Sequence, residues 1–221
     1  MTTNNPSLAQ DLIRIHMVIT RSLEVGLQKG EEFLKTGFAI PEELLGYSSY
    51  IHCFEAVLGS HHKGEDLIAF PEFRKVLPQA PYDQLSIDHH SVEMLLATLP
   101  PAIAELSSNK PNKGLQVIVD TLSQISKVWY PHIQLEEENF AQEKLDAVLT
   151  IEEQNNISVA SSKFSQEHSN PPYWVIPFIL FNLEPVERAK MAAFLPPVIM
   201  NELIPVIWRD QWAPMKPLFL E

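Results

Sequence analysis

The chain has 221 residues, 45% of them hydrophobic, enough to bury one full core with an extension. Sixteen basic against 28 acidic residues give a net charge of -12, which repels phosphate backbones and excludes a nucleic-acid partner. The single cysteine, Cys53, excludes an internal disulfide, and the opening MTTNNPSLAQ lacks the basic and apolar regions of a secretion signal, so a cytoplasmic setting is expected.

Ser7 followed by Gln10 makes a capping box, and Leu12, His16, Ile19, Leu23 and Leu27 then recur at helical spacing, predicting a first helix over about residues 8–29. Pro41 with Glu42 and Glu43 suits the start of a second helix, because its first turn needs no proline N–H and its dipole favours acidic residues. Along it Ile51, Phe54, Leu58, His61 and Glu65 share one face, and Pro71 is expected to stop it. A third helix carries the stripe Leu85, His89, Val92 and Leu96 and breaks at Pro100 and Pro101. In the fourth, Ile118, Leu122, Ile125, Trp129, His132 and Glu136 alternate in steps of four and three, with Pro131 expected to bend the chain just before His132.

A second capping box, Thr150 with Glu153, opens a fifth helix over about residues 151–168. From Asn170 the chain holds Trp174, Trp208 and Trp212, many prolines and few charges, and reads as short helices packed across the bundle. Its apolar runs, Val175 to Leu183 and Met191 to Met200, fall short of the roughly 20 helical residues that cross a bilayer, so no membrane association is expected. The expectation is an all-α protein, with a four-helix bundle in residues 1–150 and a helical C-terminal extension in residues 151–221.

Each of the four main helices has a histidine in its core stripe: His16, His61, His89 and His132. An imidazole buried among leucines must find a hydrogen-bond partner or a metal, since leaving it unsatisfied costs about 1–3 kcal/mol. Two of the four open the pattern H-x-x-x-E, His61 to Glu65 and His132 to Glu136, which stacks both side chains on one face a turn apart. Carboxylates bridge ions while imidazoles terminate them, and this nitrogen and oxygen set suits non-haem iron or manganese. His52, His90 and His168 read as ordinary core or surface residues. His62 rotates off the stripe, yet precedes Glu65 by three residues and is kept as a ligand or supporting group.

The segments IRIHMVI, GSHHKGEDLIAFP, LSIDHHSVEML and WYPHIQLEEENF resemble the four helices of the haemerythrin-like, or HHE, domain over about residues 8–140. The resemblance implies an up-down bundle around two irons about 3–4 Å apart, and substitution by manganese or zinc stays open. It carries over His16, His61, Glu65, His89, His132 and Glu136 as ligands, the two glutamates as bridges. Oxygen-carrying members have a second histidine one turn after the first in the third helix. Here that position is Glu93, expected in or beside the ligand set. The carriers also space the histidine and carboxylate of the fourth helix five apart, which Glu137 meets, whereas Glu136 completes the stripe.

A glutamate in place of a histidine favours ferric over ferrous iron and counts against reversible oxygen carriage. Two functional classes stay open. One is a di-iron oxidase or oxygenase acting with dioxygen or peroxide on a small molecule, and the other is a sensor or store of oxygen, iron or peroxide without turnover. A bundle without metal is a third, structural class. Trp174 and Phe178 are expected either to close a pocket near the metal or to form a homodimer surface.

Overall fold

The computed structural model describes residues 7–108 and 111–220, and over these the chain is all-helical. Residues 1–6 of the opening stretch, and Glu221 at the end of the expected extension, lie outside the described residues. The first helix, α1 (Leu8–Thr36), is capped by Ser7, whose Oγ accepts from the Gln10 N–H at 3.2 Å and whose hydroxyl donates to Gln142. It runs well past residue 29, because Gly30 sits buried against Tyr47 and Val119 and the chain turns only at Gly37, with φ of 72°.

The second helix, α2 (Pro41–Gly64), passes into a wide π turn, Glu65–Ala69, and on into α3 (Phe70–Val76). The expectation that Pro71 ends this helix is corrected. Pro71 occupies the first turn of α3, and in the π turn before it the Phe70 N–H reaches back five residues to the Glu65 carbonyl. Next come α4 (Tyr82–Leu96) and α5 (Leu99–Leu106), with Pro100 and Pro101 in the first turn of α5. The long α6 (Pro111–Asn139) continues through Pro131 without interruption. After α7 (Gln142–Asp146), both halves of the Thr150 and Glu153 capping box start α8 (Ile151–His168).

Contacts between helices fix their directions. His16 meets His61 while the Tyr47 hydroxyl donates to the Gly26 carbonyl, so α1 and α2 are antiparallel. Trp129 donates to Thr20 while Val119 faces Gly30, so α6 runs against α1. His89 meets His132 while Thr98 meets Thr121, so α4 runs against α6. The result is an up-down four-helix bundle, with α2 and α6 each flanked by α1 and α4.

Two apolar clusters fill it. The larger includes Ile19, Leu23, Phe54, Leu58, Leu96, Leu122 and Trp129, and the smaller gathers Leu8, Phe70, Phe73, Tyr82, Phe140 and Ile157 at one end. The buried histidines lie between them, with Trp129 of the larger cluster on one side and Phe70 of the smaller on the other.

The C-terminal chain continues through α9 (Pro172–Phe181), α10 (Pro185–Ala192), a π-helical stretch Ile199–Ile207, α11 (Arg209–Trp212) and a 3-10 turn Ala213–Leu218. Phe178 packs edge-on against Tyr50 with ring centres 4.9 Å apart, and Trp174 packs against His52 at 5.7 Å. The Tyr50 hydroxyl donates to Asn182 at 2.7 Å, and Arg21 donates to the same Asn182 oxygen and to the Leu218 carbonyl at 3.0 Å. These contacts lie on the α1–α2 face, and His52 precedes His61 by nine residues, about 13 Å along a helix. The lid role expected of Trp174 and Phe178 is therefore corrected: they cover the far part of α2. Among the described residues no helix is long and apolar enough to cross a membrane.

Gly46 of α2 lets this segment dock, because a Cβ there would collide with the Pro214 carbonyl. Gly46→Ala is expected to destabilise the protein by about 1–3 kcal/mol through this overpacking while leaving its metal content unchanged. Thermal denaturation and metal analysis of the variant check both parts.

Candidate metal centre

Five histidines and two glutamates meet inside the bundle, each no more than 7% exposed: His16 from α1, His61 and His62 from α2, Glu65 from the π turn, His89 from α4, and His132 and Glu136 from α6. They divide into two overlapping groups around the carboxylates. On one side His16 Nε2 is 3.3 Å from Glu136 Oε2, and His61 Nε2 is 3.4 Å from Glu65 Oε1. On the other, His89 Nε2 is 3.5 Å from Glu65 Oε2 and 3.9 Å from Glu136 Oε1, and His132 Nε2 is 3.5 Å from Glu136 Oε2. His62 joins this second side, where its ligand atom lies within 4.8 Å of those of His89 and His132.

The donors converge without satisfying one another. Nε2 of His16, His61 and His62, Oε2 of Glu65 and both oxygens of Glu136 are buried with no well-directed hydrogen bond. Each such atom costs about 1–3 kcal/mol in a closed apolar interior. A cation placed among them would satisfy nitrogen and oxygen donors together, so the residues fit a metal centre.

A carboxylate stands beside the outward nitrogen of three of the rings, but only His16 Nδ1 has a well-directed hydrogen bond, and the Nδ1 atoms of His89 and His132 join the unsatisfied donors. Glu137 Oε1 lies 2.9 Å from His16 Nδ1, Asp66 Oδ1 3.0 Å from His89 Nδ1, and Asp88 Oδ2 3.5 Å from His132 Nδ1. Such partners fix the ring orientation and make the inward nitrogen a better donor. Trp129 closes the site toward the main core, with ring centres 5.5 Å from His16 and 6.1 Å from His132, and Phe70 stacks on His89 at 5.5 Å. The π turn is what sets Phe70 one wide turn beyond Glu65.

Burial, followed by the neighbouring imidazoles, pushes the pKa values of His61 and His62 well below the ordinary histidine value. Burial also lowers His132, only partly opposed by Glu136. At His16 burial acts downward, but Glu136 and Glu137 outweigh it and raise the pKa above 6.5. Burial and the nearby Glu136 carry Glu65 well above the carboxylate range, whereas at Glu136 the upward pull of burial is overcome by His16, His132 and His89. Without a metal these shifts favour the neutral forms of His61, His62, His132 and Glu65 and the charged forms of His16 and Glu136.

The structure brings together His16, His61, Glu65, His89, His132 and Glu136, and places Glu137 just outside, on His16. Glu93 is a correction. Its side chain is 61% exposed and pairs with Lys63 at 3.6 Å, because the buried stripe of α4 steps from His89 to Val92 and turns position 93 to solvent. His62 enters in its stead. Neighbouring residues on a helix point about 100° apart, so α2, lying between α1 and α4, aims His61 at His16 and stacks His62 on His89 with ring centres 4.1 Å apart. Sequence reasoning missed Asp66 and Asp88, although each adjoins a member of the cluster.

His52, His90 and His168 lie elsewhere. His52 bonds to the Asn170 carbonyl at 3.0 Å, His90 is exposed on α4, and His168 stacks on Phe164.

The family described as "Hemerythrin HHE cation binding domain" matches residues 29–143, more than half of the chain. The match covers every residue of the cluster except His16, which α1 contributes from before its start. No curated protein and no solved structure matches the chain.

Asp66→Asn and Asp88→Asn are each expected to weaken divalent-metal binding about 10–100-fold without unfolding the bundle. A competition titration against a coloured chelator reads this, and unchanged affinity in both would show that these carboxylates do not support the ligands. Protons compete with the metal for His16, so affinity should fall as pH falls. Because the His16 pKa lies above 6.5, that fall should begin at higher pH than for an unperturbed histidine.

Proposed function

We propose that this chain, which belongs to the hemerythrin HHE cation-binding family, is a non-haem di-iron protein that reacts with dioxygen or peroxide. The observation that carries the reading is the division of the buried donors around two shared carboxylates. His16 and His61 stand on one side, His62, His89 and His132 on the other, and Glu65 and Glu136 belong to both. Five imidazoles and two carboxylates exceed what a single six-coordinate ion uses, and the mixed nitrogen and oxygen set suits iron, or manganese in its place.

Bound iron would supply the one-electron chemistry that lets dioxygen or peroxide react at all. The protein's own part is holding and shielding. Glu65 and Glu136 would hold the two ions, Glu137 fixes the His16 ring through its Nδ1, and Asp66 and Asp88 stand beside the outward nitrogens of His89 and His132. Trp129 and Phe70 cover the rings toward the two apolar clusters and shield those faces of the centre from bulk water.

Glu93 stands at the surface and His62 adds an imidazole, so the argument against reversible oxygen binding loses its footing. On the His16 and Glu136 side lies a small recess lined by Ala9, Leu12, Ile13 and Phe140, with room for a molecule of about the size of water. This favours dioxygen or peroxide over an organic substrate at that side. It also supports a second reading, in which the centre binds or senses the oxidant without turnover.

Anaerobic loading should give two iron ions per chain, and aeration or peroxide should change the ultraviolet-visible spectrum within the mixing experiment. Reversal on removing oxygen marks binding, and irreversible oxidation that a reductant restores marks turnover. One ion or none per chain, or a spectrum indifferent to both oxidants, would contradict the proposal. Metal should also stabilise the fold: at a thousandfold excess over Kd it adds about 4 kcal/mol, or roughly 10 °C in Tm for a chain of this size.

A further inference from the structure

The second side of the centre faces a different kind of space. Between α2 and α4 a cleft of about 850 Å³, its open mouth included, is lined by Glu55, His62, Asp66, His89, His90 and Glu93 among others. His62 and His89 thus belong both to the cleft wall and to the buried cluster. We infer that this cleft is the route by which divalent cations reach the centre, with Glu55 and Glu93 as outer donors and His62 receiving the ion from them. The inference rests on the two-metal reading above.

Three observations carry it. The first is His62 itself, 4% exposed, with an Nε2 that finds no partner although it lies beside this opening. Second, Glu55 lines the cleft half-buried and makes no ion pair among the described residues; burial raises its pKa, opposed by His52 and Lys63. The third is the contrast with the recess on the other side, whose walls outside the cluster are mostly apolar and offer an incoming hydrated ion few oxygen atoms in exchange for its water. In the cleft three carboxylates face one lysine, Lys63, which Glu93 holds at 3.6 Å. The net negative field concentrates cations at the mouth, and Lys63 opposes them there.

The test follows cobalt(II) uptake by the metal-free full chain, read by stopped-flow absorbance at fixed ionic strength. The double variant Glu55→Gln/Glu93→Gln should take up cobalt at least about threefold more slowly, whereas Lys63→Gln should be faster than the parent. Final stoichiometry should be unchanged in both, since none of these residues belongs to the centre. Glu31→Gln/Glu42→Gln, two exposed carboxylates on α1 and α2 remote from the cleft, removes the same charge elsewhere and should keep the parental rate. Parental rates in both cleft variants, or equal slowing in the remote control, would overturn the route. A parent chain that binds fewer than two cobalt ions would instead overturn the two-metal reading, whatever the rates.

Discussion

The structure depends on one electrostatic constraint: two carboxylates and five imidazoles are buried in the middle of an apolar bundle. Ionised carboxylates are among the most costly groups to take out of water, and here Glu65 and Glu136 face each other closely enough that Glu136 helps to push Glu65 toward its protonated form. Imidazoles alone relieve this only in part, since several donor atoms still lack a well-directed partner. The pair of cations proposed here would give those atoms partners. The apolar clusters on either side, with Trp129 and Phe70 against the rings, keep water from doing the same work.

The bundle was legible because helical periodicity writes the core into the sequence. The stripes of α1, α2, α4 and α6 each include a residue that a purely apolar core would not use, and stacking those four stripes brings His16, His61, His89 and His132 together. Both capping residues, Ser7 and Thr150, also sit where local chemistry puts them.

What the sequence did not convey depends on the rotation of helices about their axes and on one irregular turn. Whether His62 or Glu93 faces the centre is decided by how α2 lies between its neighbours, an orientation set by tertiary packing and not by spacing along either helix. The π turn at Glu65–Ala69 carries no compositional mark, yet it lets the chain pass Pro71 and brings Phe70 onto His89. The C-terminal aromatics announced that they must cover something apolar, but not which face. That choice rests on Gly46, Arg21 and Asn182, residues too ordinary in sequence to stand out.

The account therefore joins a buried charge cluster, an acidic cleft that reaches it from one side and a narrow recess on the other. Its central claim is that the shared carboxylates hold two ions side by side. Iron K-edge X-ray absorption of the iron-loaded chain tests this most directly. The account predicts a nitrogen and oxygen shell with a second iron within about 4 Å, and a spectrum that shows only light-atom neighbours around an isolated iron would contradict it.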